Sequence, residues 1–299
     1  MIERAGGSSR LASSAAADCD SGVRRPQTQP CAEPQVNRGA ITRRINAERI
    51  VLAGWSRAIL LQLAHPLVAA GVDDHSTFRE RPWSFVTRLH HTVRAMLALT
   101  FADDAGREQA LDGIRTIHRR VNGTLPEGAG RFRAGTPYSA EDPELVLWVH
   151  ATLLDSIPFV YDLTVAPLGI ADRDAYCEEA ASVAIALGAR ADDVPRSWAA
   201  LRTYVAGQYA NGCIAVTPQA RRVARLVLRP AMAPLIAPAA WMNRIVTLGL
   251  LPPPVREQYG FDWRPRDART FDRLIPALRR LRSITPEWLA LWPEARRRG

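Results

Sequence analysis

The sequence predicts an all-α fold of about ten helices, and three observations carry that prediction. From residue 45 onward, large apolar residues return every three or four positions, as one face of a 3.6-residue helix requires. Strand-like alternation of apolar and polar residues is nearly absent. The breaks between periodic runs carry helix punctuation, with prolines just inside starts and glycines just past ends.

Residues 1–40 are Ser, Ala, Gly, Pro and Arg with few large apolar side chains, and they read as a disordered leader. The stretch holds no continuous apolar run of the kind a secretory signal needs. One helical domain is expected over 41–285, followed by an Arg-rich tail over 286–299. Ile50, Leu52, Trp55, Ile59, Leu60, Leu63 and Val68 mark the first long apolar run, which Pro66 should kink or break just after His65. The next helix is expected from Ser84 to Thr100, capped near Trp83 or Ser84. Another should run from Asp104 to Asn122, with Gly123 as its C-cap. After the loop GTLPEGAGRFRAGTPYSA, Asp142-Pro143 opens an apolar helix to Tyr161. Further helices are expected near 171–188, 195–212, 217–229, 235–249 and 267–281.

Composition bounds the function. The chain has 299 residues, 47% of them hydrophobic, and a mean hydropathy of −0.12, which describe a globular protein able to bury a substantial core. Its net charge is +9, and all 39 basic residues are Arg. No lysine is therefore available as a Schiff-base former, general base or pocket ammonium. The arginines cluster at Arg24, Arg25, Arg38, Arg43 and Arg44, again over Arg221 to Arg229, and finally at Arg279, Arg280, Arg282 and Arg296 to Arg298. None of the clusters is interleaved with aromatics as in single-strand binders, so no nucleic-acid partner is expected. Cys19, Cys31, Cys177 and Cys213 form no CxxC pair. Neither a zinc site nor a disulfide framework is supported, and a reducing cytoplasm is the expected location. The segment 231–251 has the length of a membrane span, yet Pro234, Pro238, Asn243 and Arg244 interrupt it. It reads as a buried helix, with peripheral contact at a membrane surface as the alternative.

Chemistry concentrates in the histidines. His65, His75, His91, His118 and His150 fall on four successive helical stretches, each among polar neighbours set in apolar runs. Imidazole is a common ligand for iron and titrates near neutral pH. Arg88, His91 and Thr92 are spaced to share one helix face, with His90 beside them. His118 has Ile114, Ile117 and Val121 for neighbours, and His150 stands beside Trp148. Spacing alone fits a satisfied polar patch and hydrogen-bonded core histidines as well as it fits a site. His65 precedes Pro66, where a freed carbonyl would accept its ring N–H, and His75 follows Asp73 and Asp74, which offer it a carboxylate. No Glu-x-x-His pair, His-Glu-x-x-His helix, Gly-x-Ser-x-Gly elbow or dinucleotide fingerprint is present. An imidazole-rich, carboxylate-poor helical pocket suits haem better than a hard metal.

The same residues carry a resemblance. Arg57-Ala-x-Leu-Leu-Gln-x-Ala-His65-Pro, Ala-Gly-Val-x-x-His75-Ser-x-Phe, Arg88-Leu-x-His-Thr92 and His118-x-x-Val-x-Gly occur in order. Tyr138-Ser-Ala-x-Asp-Pro-Glu-Leu, Trp148-Val-His150-Ala-Thr-Leu and Leu-Pro-Pro-x-x-Arg256-x-x-Tyr-Gly follow. Over about residues 45–260 this series resembles the rubber oxygenase/MpaB family. The resemblance implies a globin-like helical core holding haem b, and oxidative cleavage of isoprenoid C=C bonds with O2. It implies His118 as the proximal iron ligand, with Arg88 and Thr92 as pocket residues. Rubber oxygenases carry a lysine where this chain has His91, so a second imidazole replaces an ammonium as iron ligand or distal acid/base. His65, His75 and His150 belong to matching motifs but receive no role from the resemblance; His65 and His150 are kept as candidate cofactor contacts. The expectation is an oxygenase acting on an apolar or polyisoprenoid substrate. A non-catalytic haem sensor or carrier, and a cofactor-free helical protein at membranes, stay open beside it.

Overall fold

Pro66 sets the geometry of the first apolar run. In the computed structural model, which describes residues 39–75, 84–228 and 237–296 (side chains excepted at 84–89 and 239), the chain enters through α1 (Ala40–Asn46). A 3-10 turn (Arg49–Val51) leads into α2 (Leu52–Leu63). The ring of Pro66 disfavours helical backbone at the residue before it, and His65 is extended at φ −86°, ψ 121°. Pro66 then takes the first position of α3 (Pro66–Asp74), and the run bends by 103°. The described residues belong to a unit spanning Asn37–Gly299; Met1–Val36, most of the expected leader, lie outside them.

The remaining elements are built by caps as the sequence implies. Asp103 accepts from the Gly106 N–H and starts α5 (Asp104–His118), directly after α4 (Ser84–Phe101). Asp142 accepts from the Glu144 N–H at the head of α6 (Pro143–Thr164). There follow α7 (Ile170–Ala186), α8 (Trp198–Ala210, capped by Ser197), α9 (Pro218–Leu228) and α10 (Ala237–Leu250). The chain closes on α11 (Pro253–Tyr259), α12 (Pro265–Ile284), α13 (Glu287–Ala290) and α14 (Pro293–Arg296). The fold is all-α, with fourteen α-helices among the described residues rather than about ten. The extra ones are short and offer no run long enough for a periodicity to show.

One boundary differs for a clear reason. The helix expected to reach Asn122 ends at His118; residues 119–121 turn, and Asn122 opens β1 (Asn122–Thr124), paired antiparallel with β2 (Pro137–Ser139). Gly123 is not a C-cap. A Cβ there would lie 2.5 Å from the Tyr138 hydroxyl, so the glycine lets the tyrosine pack flat on the strand.

The core is organised by α2 crossing α6. A Cβ on Gly54 would stand 2.8 Å from the Ser156 carbonyl oxygen, so only glycine permits this approach. One turn on, the buried Arg57 guanidinium donates to the Ser156 hydroxyl at 2.6 Å, the Asp155 carboxylate at 2.7 Å and the Leu250 carbonyl at 2.9 Å. Arg202 of α8 donates to the other Asp155 oxygen at 3.2 Å. Leu60, Leu63, Trp148, Val223, Leu248 and Val255 pack into the largest apolar cluster, joining α2, α6, α9, α10 and α11. The segment after 285 returns to the start of the fold: the Trp292 N–H donates to the Ala47 carbonyl, and Arg49 stacks 5.3 Å over the Trp292 ring. Arg282, at the end of α12, grips the buried Glu48 carboxylate with two bonds of 2.6 Å.

Within the segment 231–251, residues 231–236 lie outside the described residues. Ile245, Val246, Leu248 and Leu250 of α10 are buried, whereas Trp241 and Met242 are exposed. Among the described residues no single helix is long and apolar enough to cross a membrane.

Gly54→Ala is expected to force α2 away from α6 and to lower stability by about 1–3 kcal/mol, read as a reduced urea midpoint. An unchanged midpoint would show that the crossing has slack.

Candidate functional site

The link between α4 and α5 is only Ala102-Asp103, so the two helices run antiparallel and in contact. The chain therefore doubles back on itself, and α5 packs along α4. On α5 the inward stripe is Leu111, Ile114 and His118, with Leu111 buried and the other two half-buried. Ile117 does not flank His118 on that face; it is 62% exposed. The reason is angular: 114 and 118 are four residues apart and nearly eclipsed, whereas 117 is turned by one residue's rotation.

His118 makes no hydrogen bond through its ring among the described residues. Burial lowers its pKa below the ordinary histidine value, and Glu141 offsets part of that effect. The outcome is an imidazole favoured in its neutral form, with no ring hydrogen bond to any described residue. On α4, Val93 and Met96 pack toward Trp55 and Leu154, while His91 and Thr92 lie on the exposed side. His90 is exposed as well, its ring 6.0 Å from that of His91. The Arg88 side chain lies outside the described residues.

His75 joins the same rim. Its Nε2 sits 3.0 Å from the Asn122 carbonyl oxygen, one helical turn of sequence beyond His118. The expected carboxylate partners are taken: Asp73 pairs with Arg222, and Asp74 accepts from the Tyr138 hydroxyl. The structure thus sets the end of α3 against β1, which follows α5 in the chain, and packs α4 along α5.

His65 and His150 stand elsewhere, inside the α2–α6 body. His65 packs against Phe132 and Trp148, with ring centroids at 5.0 and 6.4 Å, and its buried Nδ1 has no hydrogen-bond partner. The expected bond to a carbonyl freed by Pro66 does not form. Extended backbone at His65 lets the Ala215 N–H reach the neighbouring Ala64 carbonyl, and directs the ring into the aromatic cluster. His150 is buried in the middle of α6 with Nε2 unpartnered. Burial lowers both pKa values to about 4, with the Arg131 charge adding to the effect at His65. Sequence reasoning missed Glu141 and Asn122 as neighbours of the histidine rim, because their proximity depends on the β1–β2 pairing that three-residue strands do not announce.

Among the described residues no three His, Cys, Asp or Glu side chains cluster as a metal-ion site. What the rim can offer iron is a single neutral imidazole, the donor a metal held by its own macrocycle requires.

Comparison with known proteins identifies a family. A family model described as "ER-bound oxygenase mpaB/B'/Rubber oxygenase, catalytic domain" matches residues 42–280. An uncharacterized protein of Mycobacterium bovis and one of Mycobacterium tuberculosis are each 26% identical over 239 residues, covering 78% of this chain and 90% of theirs. No solved structure matches the chain.

The buried histidines give a pH prediction. Each has a folded pKa of about 4, below the unfolded value of 6.5, so the unfolded chain binds protons that the folded chain refuses. Their contribution is complete above pH 6.5 and is lost as pH falls toward 4, by up to about 3 kcal/mol apiece. Urea midpoints measured across that window should fall, and His150→Leu should flatten the fall. An identical slope in wild type and variant would show that the ring is not held neutral.

Proposed function

The chain belongs to the family of ER-bound oxygenase mpaB/B' and rubber oxygenase catalytic domains, and from that membership we propose a haem b-dependent oxygenase acting on an apolar, isoprenoid-type olefin with O2. The observation that supports the haem assignment is His118: a half-buried imidazole held neutral by burial, with no ring hydrogen bond among the described residues, at the end of α5. Haem held there would supply an iron centre for O2 chemistry on a C=C bond.

The chain's own residues have separate tasks in this reading. His118 would hold the iron through a ring nitrogen, and the burial that disfavours its protonation keeps that lone pair available. Arg88, one turn before Thr92 on α4, supplies the cation for a propionate. His91 and Thr92, on the exposed side of α4, supply a proton donor and a hydroxyl to the substrate side of the pocket. An imidazole at position 91 gives and takes a proton where a lysine ammonium only donates, so His91 serves as the acid/base. His65 and His150, enclosed in the α2–α6 body, act as supports of the fold and not as contacts to the haem.

Protein produced with a haem supply should contain about one haem per chain by pyridine haemochrome. His118→Ala should lose most of it, with partial recovery of the Soret band on adding imidazole. Wild-type haem content in His118→Ala, with loss in His65→Ala or His150→Ala, would move the ligand to the interior.

His91→Ala should keep its haem while consuming O2 with a prenyl olefin roughly 10- to 100-fold more slowly. Haem loss in that variant, with a six-coordinate spectrum in the wild type, would instead make His91 a second axial ligand and favour a carrier or sensor.

A further inference from the structure

We propose that the end of α12 and the whole of α13 form a docking surface for an anionic lipid bilayer. The observation is an uncovered apolar patch: Leu281 is 57% exposed, Ile284 75%, Trp288 60% and Leu289 47%. These four large side chains fall within nine residues of one another in sequence. Isolated exposed apolar residues are ordinary on protein surfaces, but four so close in sequence, one of them a tryptophan, point to a binding surface.

Charge decides what binds. The inward stripe of α12 is Leu274, Leu278 and Arg282, the last held by Glu48. Its outer face carries Arg273, Ala277, Arg280 and Ile284 at four- and three-residue spacing, with Arg279 on the opposite flank. Arg273, Arg279 and Arg280 are exposed and make no ion pair or side-chain hydrogen bond among the described residues. Between Asp272 and Glu287 the sequence contains no Asp or Glu, so Glu287 is the single carboxylate on the patch, at the head of α13. Unopposed guanidiniums beside Trp, Ile and Leu match a surface that is anionic outside and apolar a few ångströms below, which describes an acidic-lipid bilayer. A guanidinium also fits a lipid phosphate with two parallel bonds.

The other candidate surfaces lack this combination. On α10, Trp241 and Met242 are exposed, but the nearby Arg244 donates to the Asp262 carbonyl at 3.0 Å. On α9, Arg221 is committed to the Gln258 carbonyl and Arg222 to Asp73. The patch is also firmly mounted, since Arg282 grips Glu48 and Trp292 bonds to Ala47 on either side of it. A rigid mount spares the ordering cost that a loose amphipathic tail meets on binding.

The test is co-sedimentation of the full chain with vesicles of equal parts phosphatidylglycerol and phosphatidylcholine, and with phosphatidylcholine alone. Binding is expected to the first and not the second, and to weaken at raised salt. Arg273→Gln combined with Arg280→Gln should weaken it roughly 30-fold, and Ile284→Ser with Trp288→Ser should abolish it. Trp241→Ser with Met242→Ser should leave it intact. Amide exchange should slow at 279–290 on anionic vesicles. All these side chains are exposed, so the variants keep the fold, checked by circular dichroism. Absence of vesicle binding would overturn the proposal, as would loss only in the Trp241/Met242 variant. So would a stable dimer in solution that Ile284→Ser dissociates, which would assign the patch to a second copy of the chain.

Discussion

The fold turns on one buried ion pair. Arg57 and Asp155 face each other where α2 crosses α6, with side chains only 6% and 7% exposed. Charges so placed lose most of their hydration, and their attraction offsets that loss only if every remaining donor and acceptor is met. Here they are met: the guanidinium also reaches Ser156 and the Leu250 carbonyl, and the carboxylate also receives Arg202. Four helices, α2, α6, α8 and α10, thereby share one hydrogen-bonded node. Removing one partner of such a pair typically costs about 3–5 kcal/mol, whereas an apolar replacement of both is often harmless. The node is therefore better understood as fixing which helices meet and at what register than as raising stability. Gly54 complements it from one turn away, because the closeness that its missing Cβ permits is what brings Arg57 within reach of Ser156.

That node divides the molecule into a fixed body and a rim. His65 and His150 sit in the body, where burial without hydrogen bonding holds each imidazole neutral. His118 sits at the rim, where α5 ends and the chain turns into β1. Its pKa shift has the same sign and the same leading cause, but Glu141 works against it and its ring is only half-buried. A half-buried neutral imidazole can exchange its surroundings for a metal ligand; a fully enclosed one must first be uncovered. The difference between the candidate ligand and its two rivals is one of access more than of basicity.

Much of this was legible in the sequence. The bend at Pro66, the starts at Asp104 and Pro143, and the stretches of α7 to α10 and α12 follow from spacing and caps, which are local effects. The failures share a cause as well. Gly123 looks like a helix stop, and only the approach of Tyr138 from a strand fifteen residues later shows that it is a packing glycine. Ile117 reads as part of an apolar stripe, yet the helix it belongs to packs on two neighbours through Leu111, Ile114 and Arg115, which leaves it outside. The carboxylates beside His75 are claimed by Arg222 and Tyr138, partners that no local pattern could have named. For the site, type and spacing identified the histidines, and sorting them into rim and interior needed the tertiary contacts.

The distribution of arginine carries the same lesson into function. With no lysine in the chain, every cation is a planar guanidinium, and its surroundings alone decide its role. Arg57 and Arg282 are used internally, each closed by a carboxylate; Arg115 holds the Ala186 carbonyl and so pins α5 to α7. That last contact matters for the rim, because it fixes the helix on which His118 is the final residue. Arg273, Arg279 and Arg280 make no such contact among the described residues. A sequence count of basic clusters treats all these groups alike. The fold separates those that hold the histidine-bearing helices in place from those left facing outward, next to apolar side chains that no part of the described protein covers.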